Sequence, residues 1–112
     1  MNNIDLIHSS FEKKNYEALL TITTKEFQNK VSDRGGFIRL SNVFPPENGT
    51  RVITNEIKTS TQKITTVDSI YVLDYDVLTI TDLVWEIKQS GKWIIDKFWI
   101  LEMEVESANR AV

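Results

Sequence analysis

The apolar positions of this chain change period at Pro45-Pro46. Before that pair they recur at helical spacing, and after it they alternate. Ile4, Ile7 and Phe11 fall at i, i+3 and i+7, one face of an α-helix. Asn2 or Asn3 can cap that helix, and Asp5 suits the positive end of its dipole. Asn15 interrupts the pattern. Tyr16, Leu19 and Leu20 resume it, followed by Thr23, Phe27 and Val31 on roughly the same side. The β-branched run Thr21-Ile22-Thr23-Thr24 forms helix weakly and predicts a break, with Thr24 capping a short helix through Val31. Asp33-Arg34-Gly35-Gly36 predicts a loop. Phe37, Ile38, Leu40, Val43 and Phe44 predict another short helix, ended by the two prolines.

Glu47-Asn48-Gly49 predicts a turn, and strand composition follows it. Six threonines between Thr50 and Thr66, with Val and Ile among them, favour extended backbone, as one strand or two. Ser69 to Ile80 has the strongest strand pattern. Its odd positions, Tyr71, Leu73, Tyr75 and Val77, are expected to face the core, and Asp74 and Asp76 to face water. Leu83 to Gln89 alternates again, Ser90-Gly91 predicts a tight turn, and Lys92 to Glu104 forms the last strand. Its parity shifts once between Ile95 and Phe98, which predicts a β-bulge at Asp96-Lys97. The expected class is α+β. A helical layer over about 3–44 packs on a curved antiparallel sheet of about four strands over about 50–105, with 107–112 frayed.

Composition narrows the chemistry. A chain of 112 residues, 41% hydrophobic and 26% charged, fits one globular domain spanning 1–112. It has no cysteine and one histidine, His8, which excludes disulfides, thiolate nucleophiles and centres built on Cys or several His. Ser and Thr residues lack a nucleophile-elbow pattern, and no glycine-rich phosphate loop or calcium loop is present, so no cofactor or metal is expected. Thirteen basic against sixteen acidic residues leave a net charge of -3, without the cationic excess that nucleic-acid binding draws on. The charge is uneven: residues 1–63 carry nine Lys or Arg against seven Asp or Glu, and residues 64–112 carry four against nine. No cation lies between Lys63 and Lys88, while Asp68, Asp74, Asp76, Asp82 and Glu86 do. These read as a solvated acidic surface, or as a docking face for a basic protein partner. No run of 18 apolar residues exists, so membrane insertion is not expected. The first residues show neither a basic nor an apolar leader region, which predicts a cytoplasmic protein, or an extracytoplasmic one where Met1 replaces a removed signal segment. Asn48-Gly49-Thr50 matches the glycosylation sequon, but Asn-Gly reads first as a turn.

Phe11-Glu12-Lys13-Lys14-Asn15-Tyr16-Glu17-Ala18-Leu19-Leu20 resembles the opening helices of the nuclear transport factor 2-like superfamily. The segment from Val84-Trp85-Glu86 through Ser90-Gly91-Lys92-Trp93 to Phe98-Trp99-Ile100 is similar to the final hairpin of its small bacterial members. A cystatin-like helix-on-sheet fold is the rival. The resemblance implies helices packed into a bent sheet around a cone-shaped cavity, and sheets that pair face to face as homodimers. Cavity enzymes of that superfamily place an Asp–His pair, or an Asp with a Tyr, inside the cone. Here strand parity sends Asp74 and Asp76 into water, and His8 lies one residue off the apolar stripe of its helix, as a boundary residue.

Two sets of residues are the site candidates. Tyr71, Tyr75, Trp85, Trp93 and Phe98 are expected on one sheet face, as core or as the lining of a partly polar pocket. Ile70, Val72, Leu78, Ile80, Ile94, Trp99 and Leu101 fall on the other, and an apolar patch of that size calls for a cover. Ile94, Trp99 and Leu101 are the expected homodimer contact, and Glu102, Glu104 and Glu106 mark an edge that resists aggregation. The expected function is a non-enzymatic binding or dimerisation module. The alternatives are an acidic inhibitor or immunity protein for a basic partner, and a small cavity isomerase or hydrolase.

Overall fold

The computed structural model of the chain describes residues 2–107. Four helices come first: α1 (Asn3–Lys13), α2 (Tyr16–Ile22), α3 (Lys25–Ser32) and α4 (Gly36–Ser41). Each early boundary has a local cause. Asn2 caps α1 by accepting the Asp5 N–H at 2.9 Å. Lys14 ends α1 in the left-handed region, at φ 58°. Asn15 then caps α2, and the Thr24 hydroxyl accepts the Phe27 N–H at 3.1 Å to start α3. The break expected at Thr21–Thr24 and the Thr24 cap are therefore both present.

Four strands follow: β1 (Thr50–Lys58), β2 (Gln62–Leu73), β3 (Asp76–Gln89) and β4 (Lys92–Ser107). They form an open antiparallel meander in the order β1-β2-β3-β4, so the architecture is α+β, with N-terminal helices on a sheet. The threonine-rich segment divides into two strands. Ser90 and Gly91 both take positive φ, as a two-residue hairpin turn requires. Ser107, expected to be frayed, is the last residue of β4, and the rest of that expectation, 108–112, lies outside the described residues.

The segment Ser69–Ile80, expected as one strand, is two. Asp74 adopts φ 53°, a conformation Asp tolerates better than most residues, and the chain reverses at Asp74-Tyr75. Leu73 pairs with Asp76 and Tyr71 with Leu78. Inward positions are therefore odd on β2 and even on β3. Tyr71 stays buried as expected, but Tyr75 sits on the turn, 70% exposed, and Leu78 and Ile80 move from the expected outer face into the core.

The core lies between the helices and this one sheet face. Ile7, Phe11, Leu19 and Phe44 meet Val67, Tyr71, Ile80, Val84 and Ile95. Phe11 stacks on Phe44 at 5.2 Å between ring centres and meets Phe98 edge-on at 5.3 Å. The β-bulge expected at Asp96-Lys97 is present: Trp85 pairs with Lys97 and Glu86 with Ile95, leaving Asp96 extra. Here the helical layer is tied to the sheet. Asp96 accepts the Thr24 hydroxyl at 2.8 Å, and the Thr24 N–H reaches the Ile95 carbonyl at 2.8 Å.

Gly49 serves a close approach more than a turn. A Cβ built there falls 2.6 Å from Arg51 Nη1 and 2.7 Å from the Tyr71 ring. Its N–H also donates to Glu12 at 3.1 Å. Gly49→Ala must displace the Tyr71 ring or Arg51 and should cost about 1–3 kcal/mol. A urea titration beside wild type measures this, and an unchanged midpoint would show that the crowding relaxes freely.

Candidate functional site

Helix α1 places a row of polar side chains in the core. Ile4, His8 and Glu12 are spaced at i, i+4 and i+8, so they share one face, and all three are buried. The even parity of β3 turns Asp82 and Glu86 toward the same interface, where both are buried. The expected acidic docking set therefore divides. Asp68 is half-buried, Asp74 and Asp76 are exposed, and Asp82 and Glu86 are core residues. The physical reason is the hairpin at Asp74-Tyr75, which reverses the parity read for β3.

His8 and Asp82 are both fully buried and lie 2.7 Å apart, Nε2 to Oδ2. His8 Nδ1 is 2.6 Å from the Ile4 carbonyl, which only accepts, so Nδ1 carries a hydrogen. The proton between Nε2 and Oδ2 then gives two forms, imidazolium with carboxylate or imidazole with carboxylic acid, each neutral overall. Burial pushes the Asp82 carboxyl above the ordinary carboxylate value, and the His8 hydrogen bond and charge oppose that shift. The expectation of a boundary histidine is thus corrected, and its partner is Asp82. An Asp–His pair is acid–base chemistry in principle, but a general acid or base must touch its substrate. Here Phe44 and Phe98 flank the imidazole at 6.0 and 6.1 Å, and neither groove described below is lined by His8 or Asp82.

Glu12 gathers two hydrogen bonds and an ion pair on one oxygen. Tyr71 donates its hydroxyl at 2.5 Å, Gly49 its N–H at 3.1 Å, and Arg51 Nη1 lies 2.7 Å away. Burial pushes the Tyr71 hydroxyl well above its ordinary value, and the hydrogen bond to Glu12 and its charge add to this. Burial works to lower the Arg51 value, but Glu12 outweighs it and the guanidinium is held more firmly charged. Glu86 takes an amide N–H from Asn3 at 2.9 Å, with Lys63 at 3.8 Å. It borders a small cavity of about 180 Å³ shared with Thr65 and Glu56.

A larger groove, about 950 Å³, runs between α3, α4 and β4. Phe27, Val31, Leu40, Val43, Phe98 and Trp99 supply its apolar walls, and Lys30, Arg34, Arg39 and Lys97 its cations, against Asp33 and Asp96. Among the described residues the opposite sheet face carries no helix. Register places Ile70, Leu83, Trp85, Ile87, Ile94 and Trp99 there. Trp85 and Trp99 meet edge-on at 6.2 Å, and Lys97 sits 4.5 Å above the Trp85 ring.

The five aromatic candidates therefore line no common pocket. Tyr71 is core, Tyr75 is on a turn, Trp85 is on the uncovered face, Phe98 is a groove wall, and Trp93 sits among Lys58, Lys63 and Lys88 at 4.9–5.8 Å. Of the interface candidates, Ile94 and Trp99 occupy the uncovered face, and Leu101 is the extra residue of a second β4 bulge, 56% exposed. Sequence reading missed Glu12 entirely; the i, i+4 spacing from His8 was the available signal. Among the described residues no group of three or more His, Cys, Asp and Glu gathers as a metal site would, and no helix is long and apolar enough to cross a membrane. The chain matches no known family model, no curated protein and no solved structure.

Two outcomes are expected of the buried row. Asp82→Leu should cost about 3–5 kcal/mol by stranding His8, and adding His8→Leu should recover most of it, because an apolar pair replaces a buried ionic one at little cost. A double-mutant cycle in urea measures the coupling, and purely additive losses would refute it. The second concerns alkali. Tyr71 has its folded value raised above its unfolded one, so its contribution is complete below about pH 10 and is lost as pH rises beyond that. Tyr71→Phe should cost about 1–2 kcal/mol at pH 7. The gap to wild type should narrow between pH 9 and pH 11, as unfolding midpoints across that range would reveal.

Proposed function

We propose that this chain is a non-enzymatic binding module that works as a homodimer and makes its contact along β4, through Ile94, Trp99 and Leu101. The observation that supports this reading is the one-sided helical layer. The core forms against one sheet face, and the other presents Trp85 and Trp99 with aliphatic neighbours and, among the described residues, no helix over them. Apolar surface of this extent on a two-layer domain normally marks an interaction site. Trp99 belongs both to that face and to the wall of the large groove, which makes it the expected energetic centre. The likeness to nuclear transport factor 2-like proteins, whose sheets pair as homodimers, points the same way.

A second reading has its own observation. Asp68, Asp74 and Asp76, together with Glu102, Glu104 and Glu106, form an acidic end of the sheet, where the cation Arg51, opposite Ser69, is engaged by Glu12. That end suits an inhibitor or immunity protein for a basic partner. The cavity-enzyme reading has the His8–Asp82 pair in its favour and needs a route to it through the ring of phenylalanines.

Trp99→Asp should weaken the dimer by about 30-fold or more while leaving the helical circular dichroism unchanged. Light scattering across a dilution series reads this, and a variant that keeps the wild-type mass throughout removes Trp99 from the contact.

A further inference from the structure

The long strands outrun the helices, and charge separates along them. The described residues extend over 54 × 29 × 23 Å. Beyond Lys97, the described part of β4 contains Glu102, Glu104 and Glu106 and no cation. The same strand's earlier part borders the groove that carries Lys30, Arg34, Arg39 and Lys97. On the tail, Leu101, Met103 and Val105 are half or more exposed and alternate with the three glutamates. An amphipathic acidic strand and a groove with apolar walls and a cationic rim thus lie on one edge strand, one after the other. Among the described residues that edge is unpaired beyond Ile95, where Thr23 and Thr24 cover it.

We propose that the occupant of this groove is the β4 tail of a second copy of the chain, docked reciprocally by antiparallel pairing of the two β4 edges about a two-fold axis between Ile100 and Leu101. This rests on the reading of the chain as a homodimer and fixes which surface of β4 is used. The pairing sets Lys97 opposite the second copy's Glu104 on the outer side, and Phe98 opposite its Met103 on the helical side. Both pairs keep the side-chain parity that register against β3 gives these residues, since Lys97 and Glu104 face outward with Trp85 and Thr79, and Phe98 and Met103 inward with Val84 and Ile80. Each tail then sets Glu104 beside the other copy's Lys97 on the outer side, and turns Met103 and Val105 toward the apolar walls of its groove. Because the arrangement is isologous it closes at two chains and does not propagate as a fibre. It also covers the edge strand, which would otherwise offer unpaired backbone groups to any extended chain. Trp99, opposite the second copy's Glu102, brings the margin of the uncovered face into this contact, while the centre of that face, at Leu83 and Trp85, stays outside it, which distinguishes it from face-to-face packing.

Charge reversal tests the pairing on the full chain. Lys97→Glu and Glu104→Lys should each weaken the dimer by about tenfold or more, because like charges then oppose one another twice across the axis. The chain carrying both reversals should return to within about threefold of wild type, with circular dichroism unchanged throughout. Leu101→Cys, in a chain without other cysteines, should give an intermolecular disulfide on mild oxidation, and Ile57→Cys on the opposite edge should not. A dimer insensitive to both reversals but dissociated by Leu83→Asp, at the centre of the outer face, would overturn the edge pairing and leave the homodimer reading standing. A wild-type chain that stays monomeric at every concentration and salt would overturn both.

Discussion

The structure depends on satisfying charged groups that cannot leave the core. Helix α1 presents His8 and Glu12 to a sheet that answers with Asp82, Tyr71 and Arg51, while Asn3 reaches Glu86 near its start. A helix held on a sheet by aliphatic contacts alone can slide or rotate by a residue at modest cost. Here such a slip would strand a buried carboxylate or imidazole, at several kcal/mol each. The apolar contacts of Ile7 and Phe11 supply the driving force, and the polar row selects one register from those they would permit. Burial also holds the pairs in their neutral or mutually compensated forms, which is why Asp82 and Tyr71 are both displaced toward protonation.

Three irregularities deliver that row to the helix. The reversal at Asp74-Tyr75 switches the inward parity between β2 and β3 and so turns Asp82 and Glu86 inward. The bulge at Asp96 restores Phe98 to the core after Ile95 and ties Thr24 to the sheet edge. The close approach at Gly49 lets β1 bring Arg51 against Glu12. Each is a departure from regular strand geometry, and each positions a residue that a regular strand would send elsewhere.

Much of the architecture was legible because local chemistry and tertiary structure agree. The caps at Asn2 and Thr24, the Ser90-Gly91 turn and the Asp96 bulge all carry composition or parity signals that need no knowledge of the partner strand. The buried row was not legible for the opposite reason. Asp-Tyr-Asp contains no glycine or proline, and the alternation Tyr71, Leu73, Tyr75, Val77 runs unbroken through the turn. Once that hairpin is missed, every inference about β3 parity inverts, so Trp85 is read as inward and Asp82 and Glu86 as solvated. His8 was read by its distance from an apolar stripe, yet a helix face can be buried and polar when the sheet supplies partners. No rule of periodicity within one element reveals that.

The consequences of length are separate from those of the core. Strands β3 and β4, of 14 and 16 residues, continue past the helical layer, and the surplus is not shaped as an inert edge. An edge protected only by charge would be expected to carry it on both faces, whereas Met103 and Val105 keep apolar side chains exposed on one face while glutamates occupy the other. That alternation is the pattern of a half-buried strand in a chain that does not itself bury it. The groove walls and the outward Lys97 that would complement it lie on the same strand and the adjacent helices, displaced along the long axis, so one copy cannot fold the two together without breaking β4. Two copies related by a two-fold axis can. The same extension that leaves the monomer with an unbalanced end therefore makes its surface complementary to itself.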